Sequence, residues 1–170
     1  MSASAGGIDS YVLFELAGAT YALPSDEIQQ LEMVAQLTPV PNAPDFVDGV
    51  VSLRGQVLPV VNLRARFGFP RVPHDVRSRL LIVRLQSGTA TRTIGLLVDR
   101  AREFARIPLD AVQPPPDTLG GTSGRYLRGI AHLGERMVLV LDTAELLSAE
   151  TTRTQSNQTP DAVPHASTGA

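Results

Sequence analysis

Two residue types that often supply nucleophiles, cysteine and lysine, are absent from this sequence of 170 residues. There is no cysteine, and all fifteen basic residues are arginine. Without thiols or lysine amines, the chain can form no disulfide, no cysteine-ligated zinc site, no thiolate nucleophile and no Schiff base. The histidines, His74, His132 and His165, do not have the spacing of metal ligands. We therefore expect neither a metal nor a cofactor.

One serine, Ser123, stands in the glycine-rich segment GGTSG at residues 120–124. A nucleophile elbow requires G-x-S-x-G on a strand-to-helix turn, and a phosphate-binding loop requires G-K followed by Ser or Thr. Neither pattern is present. A small hydrolase using Ser123 and His132 stays open as an alternative, but the segment is more typical of a flexible connection. We predict no catalytic residues.

Five arginines follow one another closely in the middle of the chain. They are Arg64, Arg66, Arg71, Arg77 and Arg79. Phosphate-binding surfaces usually interleave aromatic residues with basic ones, and only Phe67 and Phe69 lie among these five. The net charge of −2 and the pI of about 5.9 also differ from those of a typical nucleic-acid-binding domain. The segment is interpreted as an Arg-rich surface linker, with no nucleic acid as a partner.

The elements that would position these residues are mostly strands. Between residues 11 and 147, Gly and Pro divide a Val-, Leu- and Ile-rich chain into short apolar runs of strand length. Residues 1–10 and 148–170 are polar and small, which predicts flexible tails. Helices are expected only at 109–112 and from Thr143 onward. The predicted strands are Tyr11–Leu16, Thr20–Leu23, Ile28–Val34, Val50–Leu53, Val57–Leu63, Leu80–Leu85, Ile94–Val98, Arg102–Ile107, Gly129–Leu133 and Met137–Leu141.

An internal repeat organises these strands. Gly49–Asn62 aligns without a gap with Gly129–Asp142 at an offset of 80, and Tyr21–Asp26 resembles Ile94–Asp99 at an offset of 73. Segments that recur in the same order favour a duplicated module over a chance likeness of apolar hairpins. The fold class predicted is mainly β: two small five-stranded barrels packed together, with a short C-terminal helix. The barrels would cover roughly residues 11–70 and 78–142 and can share strands.

The sequence has no feature of a membrane or secreted protein. No apolar run is long enough to span a bilayer, and the first ten residues lack the basic and apolar regions of a signal peptide. We expect a cytoplasmic protein without direct membrane insertion.

Several segments together resemble the CheW family of chemotaxis coupling proteins, from about Tyr11 to Leu147. These segments are YVLFEL, PNAPDFVDGVVSLRGQVLPVVNLRARFG, IGLLVDRARE and YLRGIAHLGERMVLVLD. The resemblance implies two five-stranded barrels packed over a common apolar interface. It also implies a non-catalytic adaptor that couples the cytoplasmic tips of methyl-accepting chemoreceptors to the regulatory domain of the histidine kinase CheA, in arrays associated with membrane-anchored receptors.

The resemblance further implies a set of protein-binding positions. Arg54 and Gly55 occupy the characteristic hairpin tip of the family, and Gly49 opens that hairpin. Ile28 falls where an apolar residue faces the receptor helix. The positions associated in the family with receptor coupling are occupied by Leu80, Leu81, Ala101, Phe104 and Gly129.

Gln30 is a departure from the family. Relatives commonly have a glutamate here that pairs with the turn arginine, and a neutral amide can offer Arg54 only a weaker, uncharged hydrogen bond. Either Glu27 or Glu32 replaces that glutamate, or the surface suits a different partner. The alternative function is therefore a CheW-like adaptor of a non-motility chemosensory pathway that controls pili or a second messenger.

Overall fold

The computed structural model describes residues 7–118 and 124–147. Within these ranges, α1 (Leu63–Arg66) is a short α-helix, and residues 124–125 and 143–147 are also helical. Two 3-10 turns lie at Ser25–Glu27 and Leu109–Ala111. The strands are β1 (Ile8–Leu16), β2 (Ala19–Pro24), β3 (Ile28–Met33), β4 (Val47–Leu53), β5 (Gln56–Asn62), β6 (Arg79–Ser87), β7 (Ala90–Val98), β8 (Arg100–Pro108), β9 (Leu127–Leu133) and β10 (Arg136–Leu141).

The strands form two five-stranded sheets. The first has the order β8-β1-β2-β10-β9 and the second the order β3-β6-β7-β5-β4. Most neighbouring strands are antiparallel, but β10 pairs parallel with β2, and β5 parallel with β7. Each sheet therefore combines a hairpin from one half of the chain with three strands from the other half. The sheets do not coincide with residues 11–70 and 78–142, because the two halves exchange strands.

The internal repeat extends to the register of the strands. Val60 lies opposite Gly95 in one parallel pair and Val140 lies opposite Ala22 in the other, and the offsets of 80 and 73 relate these two pairs. The bulge between Val47 and Gly49 in the β4–β5 pair also recurs 80 residues later in the β9–β10 pair. The two sheets are thus near copies, related by an approximate two-fold axis that exchanges β3 with β8.

Three apolar clusters hold the sheets together. One cluster lies between the sheets and includes Phe14, Leu16, Leu81 and Val83. Each sheet also curls around a smaller cluster of its own, one containing Tyr11 and Leu13 of β1 and the other Leu80 and Ile82 of β6. Alternate residues of these inner strands point to opposite faces, and both faces are buried.

The structure confirms all ten predicted strands and the mainly β class of fold. "Barrel" is a loose description, because neither five-stranded sheet closes on itself through a ladder of strand pairs. Along the free edges of β4 and β9, the described residues form one isolated bridge each, Thr38 with Val50 and Gln113 with Ile130.

Helix α1 was not predicted; the sequence pattern placed Leu63 in a strand and the arginines after it in a linker. The helix begins there because the Asn62 side chain accepts a hydrogen bond from the backbone N–H of Ala65 at 3.1 Å, which caps the first turn. The helix predicted from Thr143 is present, and Asp142 caps it in the same way through the N–H of Glu145.

Three predictions concern residues outside the described ranges. These are most of the N-terminal tail, the C-terminal tail from residue 148, and Ser123 of the alternative hydrolase site. In the part of the chain that is described, no helix is both long and apolar enough to cross a membrane.

Candidate functional site

The edge strands β3 and β8 carry the candidate site. In an antiparallel ladder, side chains directly opposite each other point to the same face of the sheet. Leu31 is opposite Leu81, and Ala101 is opposite Phe14; Leu81 and Phe14 both belong to the cluster between the sheets. The side chains of Leu31 and Ala101 therefore lie on the faces by which the two sheets meet, at the border of that cluster.

Both edges lie on the same side of the molecule. On the opposite side, the guanidinium carbon of Arg66 lies 4.4 Å from the centre of the Phe46 ring and 4.9 Å from that of Tyr126. These two aromatic residues immediately precede β4 and β9, so the hairpins β4–β5 and β9–β10 adjoin there. The strand orders then leave β3 and β8 together on the other side. We call this the seam surface, and define it by Ile28, Leu31, Met33, Ala101, Phe104 and Arg106.

The seam surface exposes large apolar side chains. Phe104 is 69% exposed, Met33 63% and Leu31 37%. Ile28 is half-buried against the cluster between the sheets. An exposed apolar area at the edge of a core is characteristic of a surface that another protein covers.

Leu31 and Met33 were not identified from the sequence. The internal repeat contained a signal for them, because an offset of 73 relates Leu31 to Phe104 and Met33 to Arg106. The same offset relates Ile28 to Ala101, which the sequence analysis had selected separately.

An ion pair anchors the start of β8. The guanidinium of Arg64 donates to both carboxylate oxygens of Asp99, with its shortest contact at 2.8 Å, and the backbone N–H of Ala17 also donates to Asp99 at 2.9 Å. Burial by itself raises the pKa of the Asp99 carboxyl, but these hydrogen bonds and the charge of Arg64 outweigh it and lower that pKa. The contact joins α1, the β1–β2 turn and the β7–β8 connection.

Gln30 and Arg54 do not bond to each other. A register shift between Ile28 and Gln30 turns Gln30 to the other face of β3, opposite Ile82 of the second sheet's own cluster. Arg54 is exposed at the tip of the β4–β5 hairpin, where its φ of 52° and the φ of 80° at Gly55 form the turn. Among the described residues, no hydrogen bond or ion pair joins Arg54 to Gln30, Glu27 or Glu32.

Two of the three glycines selected from the family pattern, Gly49 and Gly129, are buried in the fold. A Cβ atom at Gly49 would lie 2.4 Å from the carbonyl oxygen of Thr38, and one at Gly129 would lie 2.6 Å from that of Gln113. Both glycines therefore allow another segment to approach the backbone closely. Gly55 is exposed, and no atom lies within 4 Å of the position that its Cβ would take.

Leu80 and Leu81 are also interior residues. Each has 0% exposure, and they belong to different clusters on the two faces of β6. In this conformation they cannot touch a partner directly. They support β3, because Leu80 and Leu81 pair with Glu32 and Leu31 of that strand.

The Arg-rich segment is only partly a surface linker. Arg64 is bonded to Asp99, and Arg66 is stacked over two rings. Arg71 pairs with the carboxylate of Asp48 at 3.0 Å. Arg79 donates to the carbonyl oxygens of Val76 and Ser78, each at 2.8 Å. Four of the five cations are therefore used within the protein, which does not favour the phosphate-binding interpretation.

A half-open cavity of about 460 Å³ lies near α1, away from the seam surface. Its walls are mainly aromatic and aliphatic, and burial raises the pKa of the Tyr21 phenol that lines it. The lining residues are Tyr21, Ala65, Arg66, Phe67, Gly68, Phe69, Tyr126, Leu127, Leu139 and Leu141. For metal binding, the described ranges hold no group of three or more suitable His, Asp or Glu side chains.

Comparison with known proteins gives a consistent result. Residues 10–151 match the CheW-like domain family. The chain is 29% identical over 140 residues to the chemotaxis protein CheW of Klebsiella aerogenes and 31% identical over 140 residues to that of Helicobacter pylori; each match covers 82% of both proteins. The crystal structure of the scaffolding protein TtCheW from Thermoanaerobacter tengcongensis superposes with a TM-score of 0.73 at 27% identity, covering 83% of this chain and 88% of that one.

Proposed function

Because this chain belongs to the CheW-like domain family and is a chemotaxis adaptor, we propose that it couples the cytoplasmic tips of methyl-accepting chemoreceptors to the regulatory domain of the histidine kinase CheA. It does so as a scaffold without a catalytic step, in the cytoplasm, at arrays of membrane-anchored receptors. The relatives from Klebsiella aerogenes and Helicobacter pylori are named chemotaxis proteins, which favours this pathway over non-motility control.

The receptor contact is assigned to the seam surface. The observation that supports this assignment is the exposure of Phe104, Met33 and Leu31 on one side of the molecule, beside a well-packed core. Chemoreceptor tips are helical, and an amphipathic helix buries its apolar stripe when it lies along such a surface. Ile28 and Ala101 form the inner part of the contact. Leu80, Leu81, Gly49 and Gly129 contribute by holding the strands in place.

The kinase contact is assigned to the β4–β5 and β9–β10 hairpins. Val57 on β5 and Met137 on β10 are equivalent positions of the repeat, and they are 65% and 52% exposed. Their cross-strand partners, Ser52 and His132, are exposed as well. The hairpin tip at Arg54 and Gly55 belongs to this surface, and Arg54 can donate to a carboxylate of the kinase. Gln30 faces the interior of the second sheet and is assigned to neither contact.

Separate binding to the two partners tests this assignment. In gel filtration, the chain should elute jointly with the regulatory domain of the kinase and, in a second experiment, with a receptor cytoplasmic fragment. Phe104→Ala should lose the receptor peak and keep the kinase peak, whereas Val57→Asp should do the opposite. The control is Arg84→Ala, an exposed position on β6 outside both surfaces. If Phe104→Ala and Val57→Asp bind both partners as the parent chain does, the assignment is wrong.

A further inference from the structure

The seam surface is nearly symmetric, and this has a consequence for any helix that lies on it. The approximate two-fold axis exchanges β3 with β8 and therefore passes through the seam surface between them. A rotation of 180° about that axis reverses the direction of a helix that lies flat on the surface. The strands β3 and β8 form the two walls of this surface. If the two walls were identical, a helix would bind equally well in either direction.

The two walls are not identical. Three equivalent pairs can be compared: Ile28 with Ala101, Leu31 with Phe104, and Met33 with Arg106. The β3 wall is apolar at all three positions, whereas the β8 wall replaces the thioether of Met33 with the guanidinium of Arg106. Arg106 lies on the same face as Phe104, because these two residues are opposite Ser10 and Val12 of β1.

Within residues 7–118 and 124–147, no hydrogen bond or ion pair engages the exposed Arg106. The neighbouring charges of β8 are used differently. Arg102 pairs with Glu15, and Glu103 lies on the other face and pairs with Arg136. Arg106 is therefore the cation of the seam surface that is available to a partner, and it stands at one end of one wall.

We propose that Arg106 fixes the direction of the receptor helix by pairing with a carboxylate beside one end of that helix's apolar stripe. This inference rests on the proposed receptor contact. The partner has a defined chemistry: an amphipathic helix whose apolar stripe covers Leu31 and Phe104, with an Asp or Glu at the end that meets Arg106. At the other end the equivalent position is Met33. Arg79 of β6 lies opposite Met33, but its guanidinium already donates to the backbone carbonyl oxygens of Val76 and Ser78, so an uncharged or apolar residue fits beside Met33. A planar guanidinium suits a carboxylate, and charge complementarity fixes register more than it adds affinity.

The first test measures affinity for a receptor cytoplasmic fragment. Arg106→Glu should weaken binding about fivefold, because it replaces an exposed attraction with a repulsion, and Arg106→Met about twofold. Arg84→Glu on β6 is the matched control and should bind as the parent does. Raising the NaCl concentration should weaken the parent and leave Arg106→Met nearly unaffected, because only the parent loses a screened ion pair.

The second test measures direction. Since the chain contains no cysteine, a single cysteine at the exposed Ala35, just beyond Met33, accepts one spin label at the Met33 end of the seam surface. In the parent background, the label should broaden the NMR signals from one end of the receptor helix only. With Arg106→Met, signals from both ends should broaden.

The outcomes separate this inference from the proposed function. If both ends are broadened in the parent, or if Arg106→Glu binds within experimental error of the parent while Phe104→Ala binds much more weakly, the directional role of Arg106 is wrong and the receptor contact stands. If Phe104→Ala also binds like the parent, the seam surface is not the receptor contact and both proposals fail. Melting curves that match the parent show that each variant is folded.

Discussion

Replacing three glycines by alanine, one at a time, distinguishes two reasons why a hairpin needs glycine. One is a positive φ, and the other is a lack of space for a Cβ atom. Gly134, at the β9–β10 turn, has a φ of 64° and open space where a Cβ would stand. Gly129 has an ordinary φ, but its Cβ would lie 2.5 Å from a methyl group of Val112 and 2.6 Å from the carbonyl oxygen of Gln113. Gly49 combines both conditions, with a φ of 144° and a Cβ position 2.4 Å from a carbonyl oxygen.

The expected costs follow from these differences. Gly134→Ala should lower the unfolding free energy by about 1 kcal/mol, because alanine is strained in the left-handed backbone conformation that this glycine adopts. Gly129→Ala must displace the segment that bonds to Ile130 at 2.9 and 2.8 Å, and the loss of two such hydrogen bonds costs about 1–3 kcal/mol. Gly49→Ala should cost about as much as the other two together, roughly 2–4 kcal/mol.

Urea unfolding followed by circular dichroism measures all three variants against the parent chain. The predicted order of destabilisation is Gly49→Ala, then Gly129→Ala, then Gly134→Ala. If Gly49→Ala and Gly129→Ala were no less stable than Gly134→Ala, the close approach of residues 38 and 113 would not explain why positions 49 and 129 need glycine.

Three other predictions concern charged and exposed side chains. Asp99→Asn should lower the unfolding free energy by about 1–2 kcal/mol at pH 7, because it breaks the hydrogen-bonded pair with Arg64. Folding lowers the pKa of Asp99. The stabilisation by Asp99 is therefore present above the unfolded pKa of about 3.9 and is lost as the pH falls through the folded value. The stability of Asp99→Asn should depend less on pH in that acidic range than that of the parent, and equal acid sensitivity of both proteins would contradict this. Arg54→Glu should change the melting temperature little, since Arg54 makes no bond within the described residues, but should weaken capture of the kinase regulatory domain in a pull-down; a large loss of stability would instead indicate a buried ion pair. Phe104→Ala should also melt like the parent, because its ring is 69% exposed, and a strongly lowered melting temperature would show that the ring packs inside the protein.

The strands could be predicted because local patterns determine them. Each tight turn between consecutive antiparallel strands contains a glycine with a positive φ, at Gly18, Gly55, Gly88 and Gly134. The repeat was also detectable from the sequence, because equivalent strands retained apolar residues at the same positions. The pairing of strands from different halves depends on long-range contacts, such as Val60 with Gly95, which no local pattern specifies.

The site was only partly predictable for the same reason. Phe104 and Ile28 were found through the family pattern, but Leu31 and Met33 look like ordinary strand residues until the edge position of β3 is known. Arg66 was assigned to a surface linker, because its stacking over Phe46 and Tyr126 depends on tertiary contacts, the second of them between the two halves.

The central claim is that receptor and kinase contact opposite sides of this adaptor. Amide hydrogen exchange of the full chain, measured alone, with a receptor cytoplasmic fragment and with the kinase regulatory domain, tests it directly. The account predicts that the receptor fragment slows exchange in β3 and β8, and that the kinase domain slows it in the β4–β5 and β9–β10 hairpins. Protection of the same strands by both proteins, or receptor protection outside β3 and β8, would contradict it.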